Sequence, residues 1–386
     1  MIERTLAPKM LALAQKFSVV TLTGPRQSGK TTLVRSLFSS FPYVSLEEPD
    51  IRQFALTDPR GFLSNYRRGA ILDEVQHVPQ LFSYIQSIVD SDPDVHFILS
   101  GSSNFLLIER ISQTLAGRSA VLQLLPFSLA ELAQSGRTFD QYEHAIFSGQ
   151  YPRIFDKEIA PTDFYPSYIQ TYVERDVRLI KNITDHNGFI QFTQLCAGRV
   201  GQLLNYANLA NDAGISPNTA KAWLSVLETS YIVYRLQPYH KNFNKRVIKS
   251  PKLYFYDTGL ACSLLGIRAA EQVNAHFLKG GLFENLIINE FIKRARNRGE
   301  PGFPYFWRDY SGKEIDCLLT VDGALTPVEI KAGKTASGSY FDNIKGWRKL
   351  AGMAEETGYV VYGGDLTLQT SAGQLISWKD LDRIRA

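Results

Sequence analysis

Residues 22–33 read LTGPRQSGKTTL and lie between the apolar run FSVVT (17–21) and VRSLFSS (34–40). Gly24-Pro25-Arg26-Gln27-Ser28-Gly29-Lys30-Thr31 fits G-x-x-x-x-G-K-[ST] at every position, and its flanks read as a strand (SVVTLT) and a helix (KTTLVRSLF). A glycine-bearing turn that opens a helix points backbone N–H groups at one place and leaves no side chain in the way, which suits phosphate. The nucleotide contacts expected are therefore Gly24, Pro25, Arg26, Gln27, Ser28, Gly29, Lys30, Thr31 and Thr32. Lys30 would neutralise the terminal phosphates of a nucleotide, and the Thr31 hydroxyl would join a Mg²⁺ shell. A plain glycine-rich turn is the alternative, and the flanking strand and helix weigh against it.

Outward from this loop, GAILDEVQHVP (69–79) is a buried-strand pattern ending in Asp73 and Glu74. Asp73 is the expected metal-shell carboxylate and Glu74 the group that polarises the attacking water. VHFILSGSSN (95–104) is a further apolar run that ends in small polar residues, among which Ser103 is the expected sensor of the γ-phosphate. In LAGRSAVLQLLPFSLAEL (115–132), Arg118 precedes another strand. It would stabilise phosphoryl-transfer charge in its own or a neighbouring subunit, the latter implying a homo-oligomer; a surface arginine is the alternative.

A chain of 386 residues is long enough for three domains, and 44% hydrophobic with 21% charged residues is ordinary for a soluble protein. No window approaches the run of about 18 apolar residues that a membrane helix needs. MIERTLAPKMLALAQKF (1–17) reads as an amphipathic helix and not a secretion signal, which gives a cytoplasmic expectation. Cys196, Cys262 and Cys317 have no C-x-x-C pairing and read as buried small apolar groups. A net charge of +4 permits nucleic acid as a partner without requiring it.

After GQYPRIF (149–155) the texture changes to amphipathic helices, placing a boundary near residue 160. NYANLANDAGISPNTAKAWLSVLETSYIVYRLQPY (205–239) holds a helix, a break at Gly214, Ser216-Pro217 as the start of a second helix, and a strand. HKNFNKRVIKSPKLYFYDTG (240–259) returns as a second strand and makes the pair a candidate wing. Lys241, Lys245, Arg246, Lys249 and Lys252 fall here with no acid between His240 and Lys252. Duplex DNA contact is expected through Thr219 and Lys221 on the second helix and Lys241, Lys245, Arg246 and Lys249 on the wing. A protein-packing module with a basic edge is the alternative.

FENLIINEFIKRARNRG (283–299) reads as a helix carrying Glu284 and Glu290. PYFWRDYSGKEIDCLLTVDGALTPVEIKAGK (304–334) reads as hairpin strands with Asp316 on the first and Glu329 and Lys331 on the second. Glu329 and Lys331 are two apart and share a strand face. Carboxylates able to hold Mg²⁺ or Mn²⁺ beside a lysine able to align water form a hydrolytic toolkit.

The motifs GPRQSGKTTL, LDEVQ, LSGSSNFLL and LAGR…LPFSLAEL resemble the AAA+ superfamily, and in combination a subgroup of bacterial and archaeal AAA-type ATPases that carry a C-terminal DUF4143 region. The resemblance spans the chain and implies ATP binding and hydrolysis on an α/β sheet. The order of helix acid, GKEID and VEIK resembles the PD-(D/E)xK nuclease superfamily over about a hundred residues, with Glu284, Asp316, Glu329 and Lys331 as its site. Ile315 stands where the longer pattern has proline, and a fold that only binds nucleic acid is the alternative. The fold class expected is thus a parallel-sheet P-loop NTPase domain (1–160), a helical winged-helix domain (161–270) and an α/β restriction-endonuclease-like domain (271–386). Its expected work is ATP hydrolysis coupled to action on DNA. A nucleotide-dependent regulatory or scaffold protein with an inactive nuclease-like fold is the rival.

Overall fold

A computed structural model describes residues 2–102, 114–173, 185–239, 247–321, 323–352 and 358–384. The N-terminal sheet contains β1 (Val19–Thr23), β2 (Tyr43–Ser45), β3 (Gly69–Asp73), β4 (His96–Gly101) and β5 (Ser119–Gln123) in the order β2-β3-β4-β1-β5. Each neighbouring pair is parallel. Strands buried on both faces need apolar side chains in both directions, and alternate residues of β1 supply them. Val20 and Leu22 pack with Leu6, Met10 and the helix Lys30–Leu37, while Val19 packs on the opposite face with Leu72, Phe97 and Leu99.

Three helices of the middle segment, His186–Ala197, Tyr206–Asp212 and Pro217–Thr229, precede an antiparallel pair, β6 (Val233–Leu236) and β7 (Lys252–Phe255). The helix Pro217–Thr229 starts as its sequence dictates: Pro217 fits the first turn, and the Ser216 side chain accepts a hydrogen bond from Thr219 N at 3.1 Å.

The C-terminal sheet is mixed. It contains β8 (Tyr305–Arg308), β9 (Glu314–Val321), β10 (Ala324–Lys331), β11 (Tyr359–Tyr362), β12 (Leu368–Thr370) and β13 (Gly373–Ser377), in the order β12-β13-β11-β10-β9-β8. β9 and β10 are antiparallel, and β10 reaches the parallel β11 by way of the helix Asp342–Ala351. The long helix Lys279–Asn297 lies against β10 and β5. Leu282, Leu286 and Phe291 of that helix share one core with Trp223 and Leu227 of the middle segment and with Val328 and Val361 of the sheet. The middle and C-terminal segments are thus joined through a common apolar interior. Cys196, Cys262 and Cys317 are buried and unpaired. Among the described residues no helix is long and apolar enough to cross a membrane.

Candidate nucleotide site and acidic cluster

The loop after β1 ends at Gly29, whose φ of 92° lies in the left-handed region, and the helix Lys30–Leu37 begins directly after it. Gly24 (φ 147°) permits no Cβ, because one built there would lie 2.1 Å from the Leu124 carbonyl oxygen. Gln27, with φ 59°, is a non-glycine residue in the left-handed region, a strain that the surroundings must hold. Arg4 supplies part of that hold. Its guanidinium donates to Ser28 O at 2.8 Å, Leu125 O at 2.6 Å and Glu131 Oε1 at 3.1 Å, and it lies over the Phe127 ring. Lys30 Nζ donates to Gly24 O at 3.0 Å and Pro25 O at 2.8 Å, so its ammonium already sits within the loop.

Parallel pairing sets the ends of β1, β3 and β4 side by side and gathers the expected metal and water residues at the mouth of this loop. Thr31 Oγ1 donates to Asp73 Oδ2 at 2.7 Å. Tyr43 OH donates to the same oxygen at 2.8 Å, while Ser100 Oγ and Glu74 N donate to Asp73 Oδ1. Burial and the Asp73 charge push the Tyr43 phenol well above its ordinary pKa, so it stays protonated and remains a donor. A hydroxyl and a carboxylate in direct contact are the oxygen donors that Mg²⁺ takes, so this pair fits the ion. Glu74 follows in the left-handed region (φ 54°) and receives Ser102 Oγ at 3.3 Å and the Gln76 amide. A cavity of about 730 Å³ opens over the loop and is lined by Arg26, Lys30, Thr31, Glu74, Pro152 and Arg153 among others.

Two residues expected at this site are not seen there among the described residues. Ser103 falls outside the described residues; Ser100 and Ser102, on and just past β4, make the contacts with Asp73 and Glu74. Arg118 precedes β5, which runs parallel to β1 with Ser119 opposite Val19. It therefore lies at the opposite end of the sheet from the loop, about 17 Å away along the strands. A role in its own subunit's site is thereby corrected. Its side chain is on the surface, where it pairs with Asp90, donating to Asp90 Oδ2 at 2.9 Å.

The C-terminal hairpin, with Glu284 from the helix Lys279–Asn297, brings the four expected residues together. Val328 lies opposite Cys317, so Glu329 falls beside Asp316, and Ile330 N donates to Asp316 Oδ2 at 2.8 Å. Lys331 Nζ donates to Glu329 Oε2 at 2.6 Å and lies 3.5 Å from Asp316 Oδ2. Burial first, and then the Asp316 charge, push the Glu329 carboxyl up to about 9. Burial also raises Glu284 to about 7, against the opposing pull of Lys252, whereas Lys331 and Lys252 outweigh burial and hold Asp316 low. Glu290, on the same helix as Glu284, faces away from this cluster and bonds Lys293 Nζ at 2.9 Å and Leu129 N at 2.7 Å.

Oxygens of Glu284, Glu314 and Asp316 lie within 4.8 Å of one another, a ligand set of the right chemistry for a divalent ion. It is already served by a cation, however. Lys252 Nζ lies 2.8 Å from Glu284 Oε1 and also pairs with Glu314. Burial alone would lower the Lys252 pKa, but Glu284, Asp316 and Glu314 outweigh it and keep the ammonium charged. With that ammonium in place the cluster does not fit a divalent metal. The position of Lys252 departs from the sequence reading, which grouped it with a solvent-facing basic run. Glu314 stands two residues before Asp316, and that spacing alone puts both on one strand face.

Among the expected DNA-contact residues, Lys241, Lys245 and Arg246 lie outside the described residues. Lys249 and Lys221 are exposed, with Lys221 Nζ 5.6 Å from the centre of the Tyr206 ring, and Thr219 Oγ1 shares a hydrogen bond with Ser216 Oγ. The chain on either side of residues 240–246 is pinned to the C-terminal sheet: Tyr239 N donates to Phe306 O and Ile248 N to Arg308 O.

A five-stranded parallel sheet with a phosphate loop after β1 and a Thr-Asp-Glu constellation at the strand ends defines a P-loop ATPase-type domain. Residues 16–133 match the family model described as AAA domain, and residues 279–381 match the model described as Domain of unknown function (DUF4143). Residues 139–271 match another, Domain of unknown function (DUF8612). Similar proteins include the Mycobacterium tuberculosis "Uncharacterized protein Rv2008c", 29% identical over 338 residues that span 86% of this chain and 75% of that protein. "Uncharacterized protein MJ1544" of Methanocaldococcus jannaschii is 22% identical over 336 residues, covering 78% and 72% respectively. Among solved structures, the Walker-type ATPase PABY2304 of Pyrococcus abyssi aligns with 68% of this chain and 96% of its own, at 14% identity and a TM-score of 0.46.

Proposed function

We propose that this protein binds and hydrolyses ATP with Mg²⁺ and uses the nucleotide cycle to act on DNA as a cytoplasmic homo-oligomer. The observation that carries the reading is the contact of Thr31 with Asp73 beside Glu74, at the mouth of the cavity that also holds Lys30. Lys30 and the loop N–H groups would bind the phosphates, and Thr31 and Asp73 would hold the metal, which supplies charge neutralisation when bound. Glu74, fixed by Ser102, would orient water for attack on the terminal phosphate.

Two links support communication beyond the ATP site. Tyr231 OH, from the turn after the helix Pro217–Thr229, donates to Thr23 Oγ1 at 3.0 Å, one residue before the phosphate loop. Lys293, from the helix that bears Glu284, donates to Phe127 O at 2.8 Å and Gln150 Oε1 at 3.2 Å, both near the cavity. A change in the loop therefore has direct routes into the middle and C-terminal segments. Helices 206–212 and 217–229 with the β6–β7 pair have the element order of a winged helix, and exposed Lys221 and Lys249 suit phosphate contacts. Arg118, distant from its own loop, suits a role in a neighbouring subunit's site.

Cleavage by Glu284, Asp316, Glu329 and Lys331 is left out of this proposal because Lys252 already pairs with Glu284 and with the neighbouring Glu314. The same observation favours a second reading, a nucleotide-controlled regulatory protein whose nuclease-like sheet is a binding and assembly unit. ATP turnover measured with and without single-stranded, duplex and branched DNA separates the two. Stimulation by DNA supports the first, and turnover indifferent to every DNA supports the second.

A further inference from the structure

Lys252 is the first residue of β7 and belongs to the middle segment, whereas the acids it touches belong to the helix Lys279–Asn297 and to β9. Its side chain is only 4% exposed, and those of Glu284 and Glu314 are 13% and 17% exposed. Carboxylates this close repel one another and require a cation among them. The backbone holding that lysine is anchored on both sides. Lys252 pairs with Leu236 of β6 and forms a bridge with Leu203, while Gly201 N donates to Leu253 O and Leu204 N to Pro251 O. Tyr254, two residues along and on the same strand face, donates its hydroxyl to Glu284 Oε1 at 2.5 Å. Arg308 NH1, from β8, donates to the remaining Glu314 oxygen at 2.9 Å. Each neighbour thus serves the ammonium–carboxylate arrangement.

We propose that Lys252 is the built-in counter-cation of the Glu284–Glu314–Asp316 cluster, filling the place of a divalent metal and clasping the β6–β7 hairpin to the C-terminal sheet. The proposal rests on this cluster alone and does not depend on ATP turnover. Its consequence is that the cluster is blind to Mg²⁺ and Mn²⁺ in the intact protein. Removing the lysine charge uncovers a metal site formed by the same three carboxylates. Methionine keeps nearly the length of the lysine stem and loses the charge, so Lys252→Met leaves an acid-lined space open to one Mn²⁺.

The test is Mn²⁺ binding to the full-length, nucleotide-free chain, read from the loss of the free-ion electron paramagnetic resonance signal, with Asp316→Asn identifying ions held by this cluster. The parent should bind no Asp316-dependent Mn²⁺ at millimolar concentration. Lys252→Met should gain one, at least about ten-fold tighter than anything the parent shows, and Lys252→Met/Asp316→Asn should lose it. Mn²⁺ should also raise the melting temperature of Lys252→Met and leave that of Lys252→Arg unchanged. If Lys252→Met alone does not fold, Lys252→Met/Glu314→Gln, which removes one charge of each sign, takes its place. An Asp316-dependent Mn²⁺ site in the parent overturns the proposal, and so does a folded lysine-free variant that binds no ion.

Discussion

Replacing Arg4 with methionine should loosen the phosphate loop from behind while leaving every expected nucleotide contact in place. The Arg4 side chain is 7% exposed and joins Glu131, whose own side chain is fully buried, to two backbone carbonyls, one of them at Ser28 inside the loop. Removing one partner of a buried ion pair costs about 3–5 kcal/mol, and each abandoned carbonyl adds about 1 kcal/mol. Glu131 retains Thr5 N at 2.8 Å and Ser128 N at 2.9 Å, and the methionine stem still covers Phe127, so the lower end applies. A loss of about 5 kcal/mol, about 3 for the ion pair and about 1 for each of the two carbonyls, corresponds to roughly a thousand-fold or more faster opening of this region. Hydrogen exchange of the helix Lys30–Leu37, followed by mass spectrometry, measures that opening without assuming one cooperative transition for the whole chain. Nucleotide affinity should fall with it. Exchange accelerated by less than about five-fold, roughly 1 kcal/mol, would refute the claim that Arg4 holds the loop.

Tyr43→Phe removes one donor from Asp73 and leaves Thr31, Ser100 and Glu74 N in place, so the Mg²⁺ concentration for half-maximal ATP turnover should rise about ten-fold; an unchanged Mg²⁺ titration would contradict that role. Glu329→Gln should flatten the pH dependence of stability. A carboxyl raised to about 9 contributes fully below its unfolded value and loses that contribution as pH rises through its folded value. The parent should therefore lose melting temperature from about pH 4.3 to about pH 9, at no more than about 1.4 kcal/mol per pH unit for each proton, and a parent profile that rises over this window would oppose the assignment. Replacing Lys245, Arg246 and Lys249 with alanine should weaken duplex binding irrespective of sequence and lower the slope of log affinity against log salt by about one per lost contact; undiminished binding would leave the hairpin as a packing element.

The N-terminal sheet was legible because its signals are local: a glycine pattern, apolar runs of strand length, and an acid pair immediately after one of them. Residues 22–33 carry in one stretch the strand, turn and helix that produce the loop geometry. The partners of Asp73 were less visible, since Tyr43 and Ser100 belong to β2 and β4 and meet it only after parallel pairing. Arg4 was hidden for the same reason, reaching over 120 residues along the chain to Leu125 and Glu131. Lys252 shows the limit most clearly. In sequence it is the last of a run of bases, and only the docking of β7 against the helix Lys279–Asn297 and β9 turns it inward. Period-two spacing does identify Glu314 as a companion of Asp316, but no pattern along the chain says that a lysine some sixty residues earlier pairs with Glu314 and Glu284.

Paired measurement of nucleotide binding and turnover in Lys30→Ala and Glu74→Gln tests the central claim most directly. Lys30 meets phosphate charge and Glu74 works on water, so the variants must fail differently. Lys30→Ala should lose ATP binding, whereas Glu74→Gln should bind ATP as the parent does and hydrolyse it at least about a hundred-fold more slowly. Hydrolysis by Glu74→Gln at the parent rate, or undiminished ATP binding by Lys30→Ala, would contradict the assignment of this loop and its acid as the ATP-hydrolysing site.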